Sequence, residues 1–171
     1  DWCSGYHYSD KVIIGFSHTH LSGTGCSDLG DVSLMPYTGK LRTAQGTDDN
    51  ISGAASSYFK HDNEKAAPGY YSVKLDNGVG VELTTTERVG MHRYTFSGSD
   101  ERRVLIDLVN GVGNTTYESY VRRVDDDTIE GYRFSDGWAR DQKVWFRTRF
   151  SQPMRKVEIE ETTLEGNKKG K

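Results

Sequence analysis

Much of the chain alternates hydrophobic and polar residues with a period of two, the pattern of strands with one buried face. Tyr70-Tyr71-Ser72-Val73-Lys74-Leu75 is one such run, and Val79-Gly80-Val81-Glu82-Leu83-Thr84 is the next. Between them stands Asp76-Asn77-Gly78, and Asn-Gly is a strong hairpin signal because both residues accept positive φ. Gly90 to Phe96 predicts a third strand, closed by Ser97-Gly98-Ser99-Asp100. Arg103 to Val109 reads as a more buried strand, broken at Gly111-Val112-Gly113-Asn114. Tyr117 to Val124 and Thr128 to Phe134 flank the turn Asp125-Asp126-Asp127. Val144 to Phe150 is another strand, and Arg155 to Glu160 predicts the last.

No segment sustains the i, i+3, i+4, i+7 spacing of an amphipathic helix. Closely spaced strands joined by hairpin turns predict an all-β antiparallel sandwich or barrel. One stretch departs from the rhythm. Ser17 to Asp31 is crowded with Gly, Ser, Thr, His and Asp, which predicts a long loop or a series of tight turns. Such a loop carries a site when a rigid sheet holds it.

Composition narrows the picture. The chain of 171 residues suits one domain with a real core. A net charge of -3 gives no reason to expect a nucleic-acid partner. The basic end Asn167-Lys168-Lys169-Gly170-Lys171 reads as a frayed terminus. No apolar run approaches the ~18–20 residues of a membrane span. The numbering opens on Asp1 without a leader, so export is not addressed. Cys3 and Cys26 could pair in principle, but nothing in the sequence fixes their separation.

The segment His18-Thr19-His20-Leu21-Ser22-Gly23-Thr24-Gly25-Cys26-Ser27-Asp28 holds most of the candidate chemistry. It supports four readings. His18 and His20 with Asp28 or Asp31 could ligate a metal. Gly23-Thr24-Gly25 could cradle a phosphate, although the lysine and the following helix of a P-loop are missing. Cys26 with His18 or His20 could act as a nucleophile, although neither a positioned base nor an oxyanion hole is evident. The segment could also bind a polyol: hydroxyls, imidazoles and bare glycine backbone supply two-way hydrogen bonding, and Trp2, Tyr6 or Tyr8 supplies an aromatic face. The bland alternative is a hydrogen-bonded plug between sheets. Trp138 and Trp145 read as packing residues.

Three runs carry a resemblance to a known family. They are Cys3-Ser4-Gly5-Tyr6-His7-Tyr8-Ser9-Asp10; Gly15 to Asp28 with Gly30-Asp31 and Leu34-Met35-Pro36; and Gly69 to Leu75 with Glu82-Leu83-Thr84 and Thr86 to Phe96. They resemble the amino-terminal domain of family 92 glycoside hydrolases, from Asp1 to about Phe96. Beyond that only the strand pattern agrees. The resemblance implies an antiparallel, supersandwich-like β-sandwich over residues 1–171, part of a larger two-domain enzyme. Family members are calcium-dependent, inverting exo-α-mannosidases acting on mannose-containing glycans. The resemblance places the acid, the base and most calcium ligands on a separate (α/α)6 barrel domain. It therefore implies that this piece alone is inactive, with no catalytic residue and no metal of its own. It further implies opening strands before Asp1 and a periplasmic, cell-surface or secreted bacterial parent. The domain's expected share is substrate binding, by Trp2 beyond the scissile bond and by Cys3, His18, His20, Thr24, Gly25, Cys26 and Asp28 near the terminal mannose. A stand-alone carbohydrate-binding or adhesion module is the alternative.

Overall fold

A computed structural model describes residues 2–98, 101–162 and 164. The turn residues Ser99 and Asp100, and the basic end from Asn167 to Lys171, lie outside them. The chain forms two compact units. One comprises His7–His18 and Ser33–Ile106; the other comprises Asp1–Tyr6, Thr19–Val32 and Asp107–Lys171. Among the described residues the regular elements are ten strands and a single short 3-10 turn at Trp2–Ser4. The all-β reading holds, and among the described residues no helix is long and apolar enough to cross a membrane.

The first unit is a small sandwich. Its larger sheet has the order β1 (Val12–Ile13), β3 (Ser57–Ala67), β4 (Tyr70–Leu75), β5 (Gly80–Thr85), β6 (Gly90–Thr95), all pairs antiparallel. β2 (Ser33–Thr38) pairs with β7 (Arg102–Asp107) in a second sheet. The two sheets share one core. Phe59, Val73, Leu75 and Val81 come from the first, Met35 and partly buried Leu105 from the second, Phe16 from a bridge to Leu34, and Val79 from beside the hairpin turn. Alternation puts every second residue of β4 and β5 inside, as the sequence predicts. At the hairpin Gly78 has φ +88°. Asn77 also ties the turn to its neighbours: its side-chain oxygen accepts the Val79 N–H at 3.0 Å, and its amide donates to the Pro36 carbonyl at 3.3 Å.

β3 is not evident from the sequence. Lys60-His61-Asp62-Asn63-Glu64-Lys65 hides its alternation, and the ladder with β4 slips between Phe59 and Glu64. His61 stacks on Tyr8 there, with ring centroids 4.1 Å apart, and meets the Glu64 carboxylate at 2.5 Å. That contact is the main reason its pKa lies above the usual value.

The second unit contains the antiparallel sheet β10 (Gln142–Arg149), β9 (Thr128–Asp136), β8 (Thr115–Arg123). One face of β9 is buried through Ile129, Arg133 and Ser135. The other forms cross-strand rows, with Tyr120 and Trp145 opposite Tyr132, and Arg122 and Arg147 opposite Glu130. Trp145 is 65 % exposed, with its ring against Phe134 at 5.3 Å edge to face. It is a surface residue, contrary to the packing role expected. Residues 155–160 do not form a strand. They lie exposed with no ladder partner among the described residues. Alternation by itself supplies no hydrogen bonds; a strand also needs a neighbour.

Candidate functional site

The expected site residues fall into both units. Thr19–Val32 closes on itself in the second unit. His20 bridges Leu29, and the Gly30 N–H donates to the Thr19 carbonyl at 2.7 Å. The enclosed turn depends on Gly23 and Gly25, at φ +69° and +71°. A Cβ at either would meet nothing within 4 Å. These glycines are needed for backbone conformation, and they leave open space around the turn. Thr24 donates its hydroxyl to the Cys26 carbonyl at 2.9 Å, tightening the tip. Leu29 and Val32 also have positive φ, at 70° and 52°. For β-branched Val32 this is strained, so the surroundings must enforce it.

Two buried carboxylates provide that enforcement. Asp28 is 1 % exposed. Its Oδ1 accepts the Leu29 N–H at 2.8 Å and the Asn114 amide at 3.0 Å, and its Oδ2 accepts the Ala139 N–H at 2.6 Å. Asp31 is also 1 % exposed. It forms an ion pair with Arg133 and accepts from Thr19 Oγ1 at 3.0 Å and Gln142 Nε2 at 2.7 Å. Arg133, itself fully buried, donates on to Asn114 Oδ1 at 2.6 Å. The oxygens of Asp28 and Asp31 are thus engaged by N–H and O–H donors that hold the loop. Among the described residues no three His, Cys, Asp or Glu side chains converge as a metal requires.

The other candidates separate clearly. Cys3 is buried, Cys26 is half-buried, and no disulfide joins them. Trp2 lies in the short 3-10 turn, and its side chain is outside the described residues. His20 flanks Gly5, whose added Cβ would stand 3.7 Å from the imidazole. His18 belongs to the first unit, where its Nε2 meets His92 Nε2 at 2.5 Å. His92 Nδ1 contacts Tyr94 Oη at 2.6 Å. Burial, and then the neighbouring His18, lowers the His92 pKa to about 4, so His92 itself is uncharged near neutrality. The His18 ring also occupies the space a Cβ on Gly90 would need, 2.2 Å from its nearest atom. This explains glycine at 90 in a β-strand. His18 and His20 therefore belong to different units and serve different surroundings.

Sequence reasoning missed Arg133, Asn114 and Gln142, which secure the loop, and misread Trp138. That residue was expected to pack, yet it is 69 % exposed, and the N–H of its neighbour Ala139 donates to Asp28. One cue was available. Arg133 interrupts the inward-facing register of β9, where a charge requires a partner.

The comparisons agree with this architecture. The glycosyl hydrolase family 92 N-terminal domain matches residues 1–171. The solved structure of a family GH92 α-mannosidase from Bacteroides thetaiotaomicron is 39 % identical, with a TM-score of 0.87, over 90 % of this chain and 21 % of that one. An inverting GH92 mannosidase from the same organism is 28 % identical, with a TM-score of 0.68, over 88 % of this chain and 19 % of that one. An uncharacterized secreted glycosidase of Arthroderma benhamiae is 29 % identical over 62 % of this chain and 14 % of its own length. The chain thus spans about a fifth or less of these relatives, and it belongs to glycosyl hydrolase family 92 as an N-terminal domain.

Proposed function

We propose that the protein carrying this domain is a calcium-dependent exo-α-mannosidase that releases mannose from glycans with inversion. The reading is carried by the likeness to the α-mannosidase from Bacteroides thetaiotaomicron. Inversion requires a protonated carboxyl group on one side of the glycosidic bond and a carboxylate on the other, ~6.5–9.5 Å apart, with water between. Asp28 and Asp31 are consumed as clamps. Asp126 and Asp127 sit in a hairpin turn against Arg123 and Arg149. The family likeness assigns the acid, the base and most calcium ligands to the catalytic domain of the same protein, and on this reading this domain alone is inactive.

Its contribution is to the sugar. Thr24, Gly25 and Cys26 present hydroxyl, open backbone and thiol at the turn. His20, bridged to Leu29, supports that turn, Asp28 positions it, and Cys3 is carried as a further candidate. Trp2 supplies an aromatic face. The parent acts in the periplasm, at the cell surface or outside a bacterium.

The test is an assay of the intact protein on aryl α-mannosides and manno-oligosaccharides, before and after chelation. Proton NMR of the first-formed product reads the anomer. The expected result is calcium-dependent release of β-mannose. Undiminished hydrolysis after complete chelation, or α-mannose as first product, refutes the reading. Tight, saturable mannoside binding by the isolated domain would instead favour a stand-alone binding module.

A further inference from the structure

His61 stands where β3 slips against β4, between Phe59 and Glu64, and such an irregularity re-aims the side chains on it. Both ring nitrogens face oxygens that act as acceptors. Nδ1 lies 2.5 Å from Glu64 Oε2, and Nε2 lies 2.6 Å from the Tyr8 carbonyl oxygen. The other oxygen of Glu64 accepts the Tyr71 hydroxyl at 2.5 Å, so the carboxylate accepts through both oxygens, as an ionised group does. A neutral imidazole has one N–H and serves only one of two acceptors; the imidazolium donates to both. The ring also lies flat on Tyr8, 10° from parallel with centroids 4.1 Å apart, where an aromatic face attracts a cation. Phe59 meets it edge to face at 5.3 Å.

These contacts hold a short segment. His7–Asp10 turns on internal hydrogen bonds: the Asp10 N–H donates to the His7 carbonyl at 2.9 Å, and the His7 N–H donates to Asp10 Oδ2 at 2.6 Å. Tyr8 projects from the turn, 72 % exposed, yet its ring and its carbonyl both rest on His61. The first unit begins at His7, so this turn is its opening segment. We propose that protonated His61 is a latch that fastens the His7–Asp10 turn to β3 and opens when the proton leaves. Glu64, charged and braced by Tyr71, keeps the proton on Nδ1. Deprotonation therefore strips Nε2. Its lone pair then faces the Tyr8 carbonyl oxygen, and the charge against the Tyr8 ring is gone. The titratable groups facing His61 are Glu64 and Asp62 on β3 and Tyr8 in the turn, with Tyr71 on β4 reached through Glu64. The hydrogen bond to Glu64 is the largest influence on the His61 pKa and raises it; desolvation opposes this, and the Tyr8 carbonyl and Asp62 add to it. A raised folded pKa means that the latch is closed in mild acid and opens as pH climbs through a midpoint above 6.5.

The experiment follows the intact protein, with 15N-labelled histidine rings, from about pH 5 to about pH 9 by NMR. The His61 resonances are assigned by their loss in H61Q. Both ring nitrogens are expected to be protonated in mild acid, with a midpoint above the ordinary 6.5. In parallel, hydrogen exchange of the Asp10 amide, corrected for its intrinsic base catalysis, should rise about tenfold through the same midpoint as the turn comes loose. Glu64→Gln removes the charge that holds the proton and should move both midpoints down together, whereas a merely structural contact leaves the pH of opening where it was. A His61 midpoint at or below 6.5 overturns the proposal, as does Asp10 exchange with no step at that midpoint. If Glu64→Gln does not fold, coincidence of the two midpoints in the wild-type protein decides the matter. No mannoside enters the measurement, so its outcome is independent of the activity proposed above.

Discussion

The β4–β5 hairpin and the Thr19–Val32 loop both turn on glycines with positive φ, but different forces hold them in place. The hairpin rests on hydrocarbon, with Leu75, Val79 and Val81 at 2 %, 0 % and 1 % exposure. The loop rests on a buried polar chain running from Thr19 through Asp31 and Arg133 to Asn114 and Asp28. Hydrocarbon contacts are non-directional and tolerate swaps of similar volume. A buried ion pair tolerates no loss of one partner, because the remaining charge has neither water nor counterion. The lesson is that the region offering chemistry is rigid through directional bonds, and a mutation there should fail abruptly.

Removing one side of the ion pair should have the largest effect. Arg133→Met leaves Asp31 buried and uncompensated, and should destabilise the protein by about 3–5 kcal/mol in urea denaturation. A loss below about 1 kcal/mol would remove the distinction drawn here. In the hairpin, Leu75→Ala should cost about 2–4 kcal/mol, and Leu75→Met under about 1.5 kcal/mol. A graded response in the hairpin beside an abrupt one in the loop is the contrast to look for.

The His18–His92 contact adds a pH dependence to the first unit. The folded pKa of His92 lies near 4, against an ordinary value of 6.5. Between those values the unfolded chain binds more protons, so stability falls as pH drops through that window and is unaffected above it. About 2 kcal/mol is at stake after allowance for solvent screening. His92→Gln should flatten the acid limb of a melting-temperature profile, and an unchanged limb would count against the assignment. The smallest effect belongs to Gly25→Ala. Its site is open, so only left-handed backbone strain of about 1 kcal/mol remains. A loss much above that would show the turn to be crowded.

The strands with clean alternation were legible in the sequence. β4 has the predicted bounds, and β5, β6, β8, β9 and β10 fall within a residue or two of theirs. β3 was hidden because its polar stretch is stabilised by its neighbours, not by its own apolar face. Residues 155–160 alternate well and still form no strand, since pattern specifies a face and not a pairing partner. The Ser17–Asp31 loop was legible from its glycines and hydroxyls. Its clamp was not, because Asn114, Ala139 and Gln142, which hold Asp28 and Asp31, lie 86 to 111 residues further along the chain. Trp138 was misread for the same reason: only the fold brings its neighbour Ala139 to Asp28.

That separation bears on how the molecule is made. Arg133 follows Asp31 by 102 residues, so a ribosome must translate well past β8 before the loop can lock. Until then a lone aspartate and a set of unfastened glycines wait on the nascent chain, and the entropy of closing so long a span is met late. The glycine turn at residues 23–25, among the earlier residues of the sequence to be translated, is among the last parts to acquire its shape.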